Sequence, residues 1–73
     1  MNAIYKVVDG DKFYYAGFEY ANNTHNCSWS LYQPILIPDD ELEDCIRDIR
    51  ESYTGELFTV EFVERNTITY KGE

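Results

Sequence analysis

Positive charge is scarce in this sequence. Fourteen Asp and Glu stand against six Lys and Arg in 73 residues, giving a net charge of −8 at pH 7 and a pI near 4.4. Binding to phosphates needs clustered Lys and Arg. Here they are scattered, so direct contact with nucleic acid is not expected. Long apolar runs are also lacking. The longest aliphatic stretch, Ile35-Leu36-Ile37, has three residues, whereas a membrane-spanning helix needs roughly 20. We therefore expect no membrane partner. The segment Met1-Asn2-Ala3-Ile4-Tyr5-Lys6 has no apolar core of the signal-peptide type, so the expected location is cytoplasmic. Only Cys27 and Cys45 could form a disulfide, too few for a small secreted scaffold. Two reduced, buried thiols are expected instead.

The chemical inventory is equally short. His25 is the single histidine. Ser28 and Ser30 lie near it in sequence, but a nucleophile–base pair also needs an orienting group and an oxyanion site. Nothing marks either. His25 and Cys27 are two residues apart and could share one side of a strand, yet a bland loop histidine is the commoner case. Gly10, Gly17, Gly55 and Gly72 are too widely spaced for a phosphate loop. Two Cys and one His cannot complete a zinc site without a carboxylate. Asp9-Gly10-Asp11 lacks the oxygen ladder of a calcium loop. We expect no catalytic residues, no metal, no cofactor and no enzyme activity. The sequons Asn22-Asn23-Thr24 and Asn26-Cys27-Ser28 mark only a polar segment.

What is present supports a core. Apolar residues make up 44% of the chain and aromatics 16%, including seven Tyr, which excludes disorder. Two cores cannot be built from 73 residues, so residues 1–73 are read as one domain. Residues 3–8 are rich in β-branched and aromatic types and read as a strand. Asp9-Gly10 is a hairpin signal, since both central residues of a type I′ turn need positive φ. Residues 12–20 form the next strand. Aromatics occur at even and odd positions, so one set is expected at the surface or an interface. Gly17 is a candidate bulge. Residues 22–26 read as a loop. Alternation then places Cys27, Trp29 and Leu31 on the core side of a third strand, which Gln33-Pro34 ends.

Residues 39–53 carry the helix signal. Leu42, Cys45, Ile46, Ile49 and Tyr53 form one apolar stripe. Asp39 is the candidate N-cap, and Gly55 the stop. Residues 56–64 read as a fourth strand with Phe58, Val60 and Phe62 inward and Leu57 and Val63 outward. A fifth follows at 67–71. A three-residue loop, Glu64-Arg65-Asn66, would pair Phe62 with Ile68 and Val60 with Tyr70. The order β-β-β-α-β-β predicts an α+β two-layer domain, an antiparallel sheet with the helix packed on one face. The helix covers one sheet face only. The other, with its Tyr residues, Leu57 and Val63, suggests a homodimer or a partner surface.

The distinctive feature lies on the helix. Asp39, Asp40, Glu41, Glu43, Asp44, Asp48 and Glu51 stand against Arg47 and Arg50, a net −5 within 13 residues. Acidic helix faces often serve only solubility. However, Asp40–Asp44 and Asp44–Asp48 are like charges at i,i+4, which cost helix stability. Spaced carboxylates on a rigid element can imitate a phosphate backbone and compete for a Lys/Arg groove. Tyr side chains beside such a patch make good anchors. The expected partner surface is Asp40, Glu41, Glu43, Asp44, Asp48 and Glu51 with Tyr15 and Tyr32. The expected partner is a basic protein, a nuclease or other nucleic-acid-binding factor. In this general character the chain resembles phage-encoded anti-defence inhibitors that imitate DNA, and immunity proteins for nuclease toxins. A structural or regulatory homodimeric module is the alternative.

Overall fold

A computed structural model of the chain describes residues 1–21, 24–53, 55–62, 64 and 66–73, with backbone alone for residues 19–21 and 24–26. The elements run β1 (Ala3–Val8), β2 (Asp11–Ala21), β3 (Thr24–Ser30), α1 (Asp39–Ser52), β4 (Leu57–Glu61) and β5 (Thr67–Lys71). They form the expected α+β arrangement. The five strands make one antiparallel sheet in the order β3-β2-β1-β4-β5, with β1 at its centre.

The first hairpin follows from its turn residues. Asp9 and Gly10 both adopt positive φ, 51° and 84°, and Val8 pairs with Asp11 across a two-residue turn. The β2–β3 connection is tighter than expected. Ala21 pairs with Thr24 and Tyr20 with His25, so residues 24–26 are strand and not loop. Residues 22 and 23 lie outside the described residues. β3 then ends at Ser30, before Gln33-Pro34. The hydroxyl of Ser30 accepts from the backbone N–H of Tyr32 at 3.1 Å, which turns the chain away from the sheet. For this reason Leu31 does not join the core face and stays 48% exposed.

β2 carries a bulge at Gly17. The β2–β3 register shifts between Tyr15 and Phe18, and Gly17 has φ +104°. The extra residue reverses the inside–outside alternation. Tyr15 and Phe18, of opposite parity, therefore both reach the core side, where their rings meet edge to face at 5.6 Å. The two-sided aromatic pattern of residues 12–20 reflects this reversal. It does not mark a wholly exposed set. The bulge also admits another piece of chain. The N–H of Ile35 donates to the carbonyl of Tyr15 at 3.0 Å, and Asn2 exchanges backbone hydrogen bonds with Ile37 at 2.9 and 2.7 Å. Ile37 becomes a core residue.

The core lies between α1 and one sheet face, and consists of Ile4, Tyr15, Ile37, Leu42, Ile46, Ile49, Phe58 and Val60. The helix stripe is as expected, with Leu42, Ile46 and Ile49 buried and Cys45 and Tyr53 packed at its margin. The N-cap differs. Pro38 holds that position in extended backbone, with no side-chain cap. Asp39 is the first helical residue, and its carboxylate accepts from the Asn2 side-chain amide at 2.6 Å.

The β4–β5 register is displaced by two residues from the expected one. Val60 pairs with Ile68 and Phe58 with Tyr70, and Glu61 with Thr67 closes the ladder. The connection runs over residues 62–66, and the Phe62 N–H donates to the Asn66 carbonyl at 2.9 Å. A shift of two preserves which face each side chain occupies, so alternation alone cannot distinguish the two registers. The observed ladder continues past β5, and two further bonds tie its end to the helix. Gly72 N–H donates to the Glu56 carbonyl, Glu73 N–H to the Arg50 carbonyl, and Arg50 Nε to the Lys71 carbonyl. A Cβ on Gly72 would collide with the Tyr53 carbonyl, so only glycine lets β5 pass so close to the helix end.

Candidate functional site

The solvent side of α1 collects most of the carboxylates singled out in the sequence. Asp39, Asp40, Glu41, Glu43, Asp44 and Glu51 are exposed, and Asp48 is half-buried. At 3.6 residues per turn they divide into three rows. Asp40, Asp44 and Glu51 form the ridge farthest from the core. Glu41 and Asp48 flank it on the side of Cys45. Asp39 and Glu43 flank it on the side of β5, where both line a groove.

The two arginines neutralise little of this. Arg47 pairs with Asp44 at 3.0 Å in an exposed i,i+3 contact, a geometry worth at most a few tenths of a kcal/mol. Arg50 turns away from the ridge to the β5 backbone. The helix face is therefore a strongly negative surface on a rigid element.

The two tyrosines expected beside this patch part company. Tyr32 is 89% exposed, on the segment connecting β3 to α1. Tyr15 is only 5% exposed and belongs to the core, because β2 points it under the helix before the bulge. Burial and the neighbouring Cys45 raise its hydroxyl pKa well above the usual tyrosine value. Tyr15 is thus a packing residue and drops out of the surface set.

Both cysteines are free thiols at the core margin. Burial pushes Cys27 up to about 11 against an opposing pull from Ser52, and Cys45 is raised mainly by burial too. A thiol so shifted is protonated at neutral pH and is a poor nucleophile. The side chain of His25, which could share one side of a strand with Cys27, lies outside the described residues. Among the described residues, no group of three His, Cys, Asp or Glu side chains could hold a metal ion.

Next to Cys27 on β3, Trp29 packs edge to face on Tyr53 at 5.4 Å, and its indole N–H donates to the Tyr53 hydroxyl. Lys6 Nζ lies 4.7 Å from the centre of each ring. This pins the C-terminal end of α1 to the sheet and uses one of the few cations internally.

A groove of about 620 Å³ opens between α1 and the β4–β5 hairpin. Leu42, Ile46, Phe62, Ile68 and Tyr70 form its apolar lining, with Asp39, Glu43 and Glu64 among its walls. Asn2 also lines it. The sequence held no signal for this site, because it depends on the β4–β5 register and on Asn2 being carried against the helix start.

Among the described residues, nothing covers the opposite sheet face. Tyr5 and Tyr14 meet there edge to face, Lys12 Nζ lies 4.6 Å from the Tyr5 ring, and the Thr59 and Thr69 hydroxyls are hydrogen-bonded at 3.1 Å. Val7 and Leu57 remain 59% and 62% exposed. Val63 lies outside the described residues.

Together these features define a small α+β domain, an open five-stranded antiparallel sheet with one acidic helix. Comparison with protein-family models, curated proteins and solved structures yields no match for the chain. Among the described residues no helix is long and apolar enough to cross a membrane.

Proposed function

We propose that the protein is a non-enzymatic inhibitor. It docks its acidic helix on a basic, nucleic-acid-binding protein or nuclease and occupies the groove that phosphates would otherwise fill. In this reading it acts in the cytoplasm and serves phage or mobile-element anti-defence. The observation that carries the proposal is the solvent face of α1, where six exposed carboxylates and the half-buried Asp48 are opposed by one ion-paired arginine. Charges held at helical spacing give fast, salt-sensitive association with a basic surface.

The test is affinity capture from lysate at low and moderate salt, with wild type beside an Asp40/Glu43/Asp44→Lys triple variant. A basic nucleic-acid-binding protein should be retained at low salt, released at moderate salt and lost with the variant. Retention indifferent to both salt and charge reversal would refute the reading.

A second reading, a homodimeric interaction module, draws on Val7 and Leu57 exposed on the open sheet face. Sedimentation that remains monomeric at high concentration, or dimerisation unaffected by Leu57→Lys, counts against it.

A further inference from the structure

The groove beside α1 has a composition suited to one kind of occupant. Its lining pairs an apolar body with acceptor groups. Leu42, Ile46 and Ile68 are aliphatic, Phe62 and Tyr70 present rings, and Asp39, Glu43 and Glu64 supply carboxylates. Among the described residues, no Lys or Arg lines it.

Asn2 adds an independent observation. It is only 1% exposed and forms part of the groove wall. Its Nδ2 is fully used, donating to the Ile37 carbonyl at 3.0 Å and to Asp39 Oδ1 at 2.6 Å. Its Oδ1 is buried and has no hydrogen-bond partner. A buried acceptor left unpaired is costly, and such groups ordinarily find a donor. The three carboxylates of the groove call for a donor, preferably a cationic one, whereas Asn66 and the Tyr70 hydroxyl, which also line it, can donate or accept.

We infer that this groove receives an arginine side chain of the basic partner. The inference rests on the docking reading given above and adds an anchor point to it. The aliphatic stem would lie along Leu42, Ile46 and Ile68. The planar guanidinium would stack on the Phe62 or Tyr70 ring, and its several N–H donors would meet Glu43 and Glu64, beside the wall formed by Asn2. Arginine fits better than lysine because a compact ammonium neither stacks nor serves several acceptors in a plane. The site also explains a division within the acidic surface. Asp39 and Glu43 would act at close range, whereas Asp40, Asp44 and Glu51 on the ridge would act through the general field.

The test uses the whole chain in solution. Backbone and side-chain amide NMR shifts are followed while N-acetyl-arginine methylamide, its neutral citrulline counterpart, or oligolysine is added. The expected result is an arginine-dependent response centred on the Asn2 side-chain amide, Ile68 and Tyr70. It should be about five- to tenfold stronger than with citrulline, as charge-assisted bonds require. Glu43→Gln should weaken it, and Glu51→Gln on the ridge should not. Equal response to citrulline, or shifts spread evenly over α1, overturns the inference. So does binding that appears only after Arg65→Ala, since the groove would then belong to the chain's own guanidinium. If oligolysine shifts α1 while the arginine probe leaves the groove silent, the anchor falls and the acidic-face reading survives. No response to either probe removes the anchor and counts against the wider reading as well.

Discussion

The thiol of Cys27 sits where burial outweighs every other influence on it. Its pKa is raised from 9.0 to about 11. The folded state therefore favours the neutral form relative to the unfolded chain. Stability from this group is fully present below pH 9 and is lost as pH rises toward 11. Tyr15 and Cys45 are shifted in the same direction, also chiefly by burial. Urea midpoints should therefore fall between pH 9 and 11, and Cys27→Ala should flatten that fall. Thiol labelling at pH 7 should be slow in the folded protein and fast in denaturant. An alkaline slope identical in the variant would show that Cys27 is not its source.

At the scale of elements, the bulge in β2 does more than bend a strand. It turns Phe18 inward and leaves the Tyr15 carbonyl for Ile35, which helps bring the segment before the helix back against Asn2. A Cβ at Gly17 would stand 3.2 Å from Ile35 Cδ1, in backbone with φ +104°. Gly17→Ala should cost about 1–2 kcal/mol from the left-handed backbone alone, with crowding of Ile35 added. Equilibrium urea denaturation measures it, and a loss below about 0.5 kcal/mol would contradict the geometry. The same elements show what the sequence could convey. The alternation of β4, the stripe of α1 and the Asp9-Gly10 turn are local patterns, and each gave the right element and face. Alternation leaves the β4–β5 register open, and the bonds between Glu73, Lys71 and Arg50 that join the end of β5 to the helix are not a local pattern. Leu31 continued the β3 alternation but lies beyond Ser30, where a hydroxyl turns the backbone out. Tyr15 looked available because the parity of β2 reverses two residues later. The carboxylates of α1 were legible because a single apolar stripe leaves them only the solvent side. The groove was not, because its walls come from the first residues, the helix and the last hairpin.

Across the whole molecule charge is unevenly distributed. The domain carries −8 overall, and the helix segment Asp39–Glu51 contributes a net −5 of it. Such self-repulsion opposes the compact state and is screened over about 10 Å at 0.1 M salt. Added sodium chloride should therefore raise the melting temperature, most steeply below about 0.1–0.2 M, as calorimetry would record. The Asp40/Glu43/Asp44→Lys variant should lose most of this salt response. A wild-type melting temperature indifferent to salt would mean that the acidic face carries no appreciable strain. The same salt that stabilises the free domain should release its partner, so the two responses run in opposite directions.

Trp29 is the only tryptophan in the chain. Its indole is joined to Tyr53 at the helix end by a hydrogen bond and a ring contact, with the Lys6 ammonium over both rings. Its emission is thus an optical gauge of whether α1 is seated on the sheet. It lies on the helix side of the sheet, opposite the open face, so it should report movement of the helix and stay quiet when only that face is covered. A single spectrum taken during partner binding can therefore show which side of the molecule has been engaged.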